Sequence, residues 1–318
     1  MGKLHIQLLQ ETGLCEVTCV EVDKRVLADC AALFNLRRVF EKLSDVDGEL
    51  YDGAIIATPT NTHLSAAMWC AERRVNFLVE KPIAVDCSGV AQLLEKQEES
   101  NIVAGVAYPR RYSAATQELY RRLMCGAIGD LKMVHTIFSQ DYRAYRPDYA
   151  RIYYSKIATG GGALTDALSH HIDLATFFAG PIETLSCFHD RLMFEDCEGE
   201  DCAIITARFR DGVLGSIQGN QFQKANVDQI ELVGTLGNLR YERIEGVLYS
   251  NFSSSSGWEK ESLCGDWHAT LAAQTRAFLN AIDGGEPLLT SLREGLHTIK
   301  AVSAARRFQP GEAVDRPD

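Results

Sequence analysis

Two fold patterns succeed one another along this sequence: a parallel, doubly wound α/β half, then a mostly antiparallel β half carrying a few helices. Two observations predict this. From residue 16 to about 107, short apolar runs rich in β-branched residues alternate with segments of helical period, as in a parallel sheet buried on both faces. After residue 130, strand-like runs succeed each other through glycine-containing turns such as RDGV and GTLGN. With 318 residues the chain is long enough for two domains, and the change of pattern divides it into 1–107 and 108–318.

Each element has its own signal. MGKLHIQLLQE reads as an amphipathic helix with Leu4, Leu8 and Leu9 on one face. EVTCVE (16–21) is a strand and DKRVLADCAALF (23–34) a helix. GAIIAT (53–58) is a buried strand. After it come the helix HLSAAMWCAERR (63–74), the strand VNFLVE (75–80), the helix VAQLLEKQEE (90–99) and the strand NIVAGVAY (101–108). In the second half, LKMVHTIFSQ, TLSCFHD, DCAIITARF, GVLGSIQGN, DQIELVG, NLRYE and GVLYS are strands. Helices are expected at 164–180, 268–283 and 292–308, and SSSSG (253–257) is a surface turn.

Composition narrows the function. The net charge of −11 argues against nucleic acid or an anionic membrane as partner, because counterion release needs clustered positive charge. No apolar run is long enough to span a bilayer, and the N-terminus lacks the basic-then-apolar layout of a signal peptide. The ten cysteines include no C-x-x-C and mostly sit in apolar periodic segments. They read as thiols in a reducing compartment, the cytoplasm. Cys197 and Cys202, the one pair in a polar setting, read as loop or strand edge.

Three segments can carry chemistry. ATPTNTH (57–63) stands at the C-terminal end of a parallel strand, where open α/β sheets bind ligands. VEKPIAVD (79–86) stands one strand later, with Glu80 and Lys81 at the strand tip and Pro82 behind them; such an X-Pro bond is a candidate for cis. GGGALTDALSHHIDL (160–174) opens on glycines that permit close backbone approach. It continues as a helix on which Asp166, His170 and Asp173 fall at i, i+4, i+7 and share a face. A zinc site from Asp166, His170, His171 and Asp173 is disfavoured, since adjacent histidines on a helix point about 100° apart; no metal is expected. DYRAYRPDYARIYYSK (141–156), with three arginines and five tyrosines, reads either as a substrate wall or as a surface or subunit-contact loop.

Taken together, ATPTNTH, VEKPIAVD, YPRRY (108–112), IGDLKMV (128–134), GGGALTDALSHHIDL and IELVGTLGNL (230–239), in this order and spacing, resemble the Gfo/Idh/MocA oxidoreductases, from residue 2 to about 310. The resemblance implies a Rossmann-type first domain, a second α+β domain for substrate and oligomer contacts, and NAD as cofactor, with NADP left open. It implies that Thr58, Pro59, Asn61 and His63 line the dinucleotide crevice and that Glu80 and Lys81 meet the nicotinamide ribose. Lys81 also reaches the substrate hydroxyl, His170 is the acid/base oriented by Asp166, and Arg111 flanks the nicotinamide. Tyr142, Arg143 and Tyr153 join Lys81, Asp166 and His170 as substrate contacts. Glu21, 19 residues after Gly2, stands where a carboxylate takes the adenosine ribose, with Asp23 its competitor.

In that family the glycine-rich turn reads G-x-G-x-x-G with a histidine after it, and Gly2–His5 fits only the third glycine and that histidine. The first strand and first two glycines are therefore expected to lie outside this sequence, either in roughly ten residues upstream or lost in a short form. The implied activity is hydride transfer between a sugar, sugar-acid or cyclitol carbon and the nicotinamide, in a homodimer or homotetramer built on the second sheet. The alternatives are a non-catalytic binding homologue and an NAD-dependent hydrolase or lyase with transient oxidation.

Overall fold

The computed structural model describes residues 1–46, 50–151, 155–252 and 257–308. Helix α1 (Gly2–Thr12) buries His5, Ile6 and Leu8 and ends on Gly13 in the left-handed conformation. Strand β1 (Thr18–Val20) leads to α2 (Lys24–Leu33), whose first turn is held by the Asp23 carboxylate accepting from the Arg25 and Val26 amides. Asp23, the competitor for a ribose contact, is thereby engaged as a cap. A strand β2 (Arg38–Phe40), too short at three residues to stand out in the sequence, pairs in parallel with β1.

Then come β3 (Gly53–Ile56), α3 (His63–Glu72), β4 (Asn76–Glu80), α4 (Val90–Ser100) and β5 (Ala104–Ala107), with β3-β4-β5 a second parallel sheet. Its residues are apolar without alternation (Phe77, Leu78 and Val79 are all buried) because both faces are covered. The two parallel sheets are not hydrogen-bonded to each other. Each of β1 and β3 has an edge that no described strand pairs.

Helix α5 (Ala114–Met124), capped by Ser113, comes next; its many polar residues mask the apolar stripe in the sequence. The remaining strands are β6 (Leu131–Ser139), β7 (Ile182–Asp190), β8 (Cys202–Phe209), β9 (Leu214–Asn220), β10 (Val227–Gly234), β11 (Gly237–Glu242), β12 (Val247–Phe252) and β13 (Glu259–Ser262). They form one sheet in the order β13-β12-β11-β10-β6-β9-β8-β7, antiparallel except for the β6–β9 pair. Burial alternates cleanly: on β8 Ala203, Ile205, Ala207 and Phe209 face the core, while Ile204 faces out. Between β6 and β7 lie the single turn α6 (Tyr142–Tyr145), a π-helical stretch Ala163–Leu168 and α7 (Ser169–Ala179).

The last helices, α8 (Trp267–Ile282) and α9 (Leu292–Arg307), return to the first half of the chain. Phe278 packs with Leu78 and Ala107 of the parallel sheet. Gly295 lies so close to β5 that a Cβ there would meet Val106 Cγ2 at 2.4 Å. The chain thus crosses from one sheet to the other after β5 and comes back through α8 and α9, clamping the two sheets around a common cleft. The SSSSG turn lies mostly outside the described residues.

Candidate active site

The C-terminal ends of β3, β4 and β5 open onto a cleft of about 470 Å³ whose opposite wall comes from β6, α6, the glycine loop and α7. This is the end of a parallel sheet where diverging loops leave room for a ligand.

On the sheet side, Thr58, Pro59 and Asn61 are near the surface in the loop after β3, and Thr58 lines the cleft. Next to them His63 is buried, with Nδ1 2.8 Å from the Pro82 carbonyl and Nε2 2.8 Å from the Thr58 carbonyl. It therefore braces the tips of β3 and β4 against each other. Glu80 ends β4. Its carboxylate accepts from His5 Nε2 at 2.8 Å and from the Lys81 amide at 3.2 Å, which ties α1 to the strand tip. Burial alone would raise the Glu80 pKa; the hydrogen bond and charge of His5, then the charge of Lys81, outweigh it and hold the carboxyl below its usual range. The Lys81–Pro82 peptide is cis.

Lys81 Nζ crosses the cleft. It donates to the Asp166 carbonyl at 2.8 Å and to Asp166 Oδ1 at 3.1 Å. Asp166 sits in the π-helical stretch behind three glycines. Gly160, at φ +90°, lies against Thr60 of the β3 loop, and Gly162, also at φ +90°, against the Glu200 carboxylate; a side chain at either would collide. Glu200 accepts from the Leu164 amide at 3.0 Å and from Arg306 of α9 at 2.7 Å, so the loop is fixed from behind by a largely buried ion pair.

His170 lines the same cleft, edge-on to the Tyr108 ring at 5.7 Å. Burial, then the positive charges of Lys81 and Arg110 and the neighbouring His171, push its pKa well below the usual imidazole value, opposed by Asp228. One expectation needs correction here. Asp166 does not orient His170: His170 Nδ1 and Asp166 Oδ2 both lack a hydrogen-bond partner. Nor does Asp173 share the cleft-facing side that Asp166 and His170 occupy. The wider π turn adds a residue and rotates the next turns of helix by about 100° relative to a continuous α-helix. Asp166, meeting Lys81, and His170 both line the cleft, while Asp173 is fully buried against Arg111. His171 is stacked on Phe138 and lies 3.4 Å from Asp228.

Arg111 also departs from expectation. It does not line the cleft; it is buried, donating to Asp173 through Nε (3.0 Å) and Nη2 (2.8 Å), to the Leu289 carbonyl and to Glu294. Its neighbour Arg110 lines the cleft instead, paired with Asp228 at 2.9 Å. Similarly, Tyr142 lines the cleft, whereas Arg143 turns away to pair with Asp196 and cover the Phe194 ring. Arg146, just after α6, is on the cleft side. Tyr153 lies outside the described residues. Arg243 and Trp267 complete the rim and had no local signature.

Glu21 comes directly after β1 and accepts from the Asp23 amide at 2.9 Å. Gly2 opens α1, with nothing within 4 Å of where its Cβ would stand, and Met1 reaches the cleft.

Fold and cleft together define a protein in which a parallel α/β part and an antiparallel sheet part share one cleft at the ends of the parallel strands. Comparison with known families agrees. Residues 1–108 match the oxidoreductase family with an NAD-binding Rossmann fold, and residues 116–240 match the GFO/IDH/MocA C-terminal domain. The chain belongs to the Gfo/Idh/MocA oxidoreductase family. It is 23% identical to myo-inositol 2-dehydrogenase of Thermotoga maritima over 265 residues, covering 80% of this chain and 77% of that protein. It is 24% identical to scyllo-inositol 2-dehydrogenase (NAD(+)) of Bacillus subtilis, covering 83% and 77%. In fold it is similar to levoglucosan dehydrogenase in complex with NADH, with TM-score 0.92, 20% identity and coverage of 100% and 96%.

Proposed function

We propose that this chain oxidises a secondary hydroxyl of a sugar, sugar acid or cyclitol, with NAD as hydride acceptor, and reduces the ketone in reverse. The observation that carries the reading is the meeting of Lys81, Asp166 and His170 in one cleft at the ends of the parallel strands. The names of the relatives, inositol and levoglucosan dehydrogenases, support the substrate class.

The residues present fit a dinucleotide. The N-terminus of α1 at Gly2, the loop residues Thr58, Pro59 and Asn61, and Glu21 after β1 would hold it, with Glu80 and Lys81 nearest the nicotinamide end. When bound, the nicotinamide supplies the hydride acceptor. His170, held neutral by burial and nearby cations, is positioned to take the hydroxyl proton. Lys81, fixed by Asp166, places positive charge where alkoxide character develops. Asp166 acts on the lysine, and through it on the substrate oxygen. Tyr142 and Arg110 shape the substrate wall. The same reading includes a cytoplasmic location and the division into a dinucleotide part, 1–107, and a substrate part, 108–318. It also includes a homodimer or homotetramer through the outer face of the eight-stranded sheet, where Met133, Phe188, Ile204 and Leu214 are exposed. Among the described residues no helix is long and apolar enough to cross a membrane.

The test is fluorescence titration with NADH, then absorbance at the NADH band with NAD and a panel of sugars and cyclitols. Micromolar NADH binding and net NADH formation support the reading. Binding without net NADH for any of the panel overturns hydride transfer to free product, and a folded chain that binds no dinucleotide overturns the enzyme reading.

A further inference from the structure

The substrate end of the cleft carries an unusual charge inventory. Among the described residues, four cations line it: Lys81, Arg110, Arg146 and Arg243. The carboxylates that meet them are shared. Asp166 serves both Lys81 (3.1 Å) and Arg146 (3.7 Å). Asp228 serves both Arg110 (2.9 Å) and Arg243 (2.5 Å). A further carboxylate of the cleft, Glu80, is turned to His5 on the side of α1. The histidines add no charge of their own, because burial holds both His170 and His171 toward their neutral forms.

These cations are not placed for the cofactor. A pyrophosphate belongs at the N-terminus of α1, whereas Arg110, Arg146 and Arg243 come from the segment before α5, the end of α6 and the end of β11, on the antiparallel-sheet side. Within the four, accessibility differs. The Lys81 and Arg110 side chains are 14% and 10% exposed, but those of Arg146 and Arg243 are 43% and 39% exposed. Beside Arg243 stands Trp267, 44% exposed, offering an aromatic face to the same space. Behind Arg243 and Trp267 a small cavity of about 40 Å³ reaches down to His171 and Asp228. Among the described residues, Arg110 Nε and His171 Nδ1, both deeply buried there, have no hydrogen-bond partner, while His171 Nε2 faces Asp228 at 3.4 Å. Four cations sharing two carboxylates leave this end of the cleft with an excess of positive charge, which favours a negatively charged occupant.

We propose that the substrate is an anionic polyhydroxy compound, a sugar carrying a carboxylate or a phosphate, whose charged group is received by Arg146 and Arg243 while its carbon skeleton lies against Trp267. This rests on the oxidoreductase reading for the fate of the hydroxyl, but not for the recognition of the anion. It separates this chain from relatives named for inositol and levoglucosan, which are neutral.

The experiment is calorimetric binding of glucuronate, glucose 6-phosphate, glucose and myo-inositol to the protein, with and without NADH, repeated for Arg146→Gln and Arg243→Gln. One of the two anions should bind at least ~10-fold more tightly than either neutral ligand, the scale of one charge-assisted pair. Which anion wins distinguishes carboxylate from phosphate. Both variants should bring the ratio toward one, and added salt should weaken the anion selectively. Because Arg243→Gln removes one partner of buried Asp228, Arg146→Gln serves as the variant least exposed to misfolding, with circular dichroism as the check on both. Equal or tighter binding of the neutral ligands, no binding of either anion, or an unchanged ratio in Arg146→Gln overturns the proposal. Anion binding without hydride transfer leaves it standing and overturns the oxidoreductase reading; turnover of neutral sugars with no anion preference does the reverse.

Discussion

Two aspartates on one helical segment, seven residues apart, have been put to opposite uses. Asp173 meets Arg111 in a bidentate pair with both side chains almost fully buried, and Arg111 spends its remaining donors on the Leu289 carbonyl and Glu294. Asp166 meets Lys81, but one of its oxygens is left without a hydrogen bond, and His170 beside it leaves Nδ1 unpartnered. The saturated pair ties α7 to the loop before α9 and has nothing left to offer a ligand. The unsaturated one is where the proposed mechanism brings a reacting hydroxyl to both a cation and a base. Residue type does not separate structure from chemistry on this segment; completeness of hydrogen bonding does.

That difference can be broken by substitution. The largest effect is expected at the unsaturated cluster. Lys81→Ala and His170→Ala should each lower kcat by ~10²-fold or more, with circular dichroism and melting temperature close to the parent. Near-normal kcat in either would remove that residue from the chemistry. At the saturated pair the effect should fall on stability instead. Arg111→Ala leaves Asp173 buried without its partner and should cost about 3–5 kcal/mol in urea unfolding. An Arg111→Ala protein of parental stability whose dinucleotide affinity collapses would restore Arg111 to the cofactor site.

The contrast also explains how much could be read from sequence. Strands such as VNFLVE and helices such as 292–308 were legible because apolar periodicity is local, and ATPTNTH, VEKPIAVD and the GGG segment pointed to the correct sheet end. Where the side chains went was less legible. The π turn at 163–168 separated Asp173 from the face it was expected to share with Asp166 and His170, and nothing in residue spacing announces an i→i+5 turn. Arg110 and Arg111 are adjacent and chemically identical; only the tertiary positions of Asp228 and Asp173 decide which enters the cleft. Arg243 and Trp267 arrive from sheet and helix ends far along the chain, so no local pattern could place them. Helix α5 was hidden by its polar face, and β2 by its three-residue length.

In the proposed mechanism His170 is the base, and burial, Lys81, Arg110 and His171 push its pKa well below the usual imidazole value. The direction fixes the sign. A depressed imidazole pKa means the active, neutral form persists through neutral pH and is lost only as pH falls below the ordinary value near ~6.5. The direct measurement is the pH dependence of kcat/KM for oxidation in the parent and in His170→Ala. An acid limb below pH ~6.5 is expected in the parent and should be absent from the residual activity of the variant. A limb at or above that pH, or the same limb in both proteins, would contradict the role given to His170.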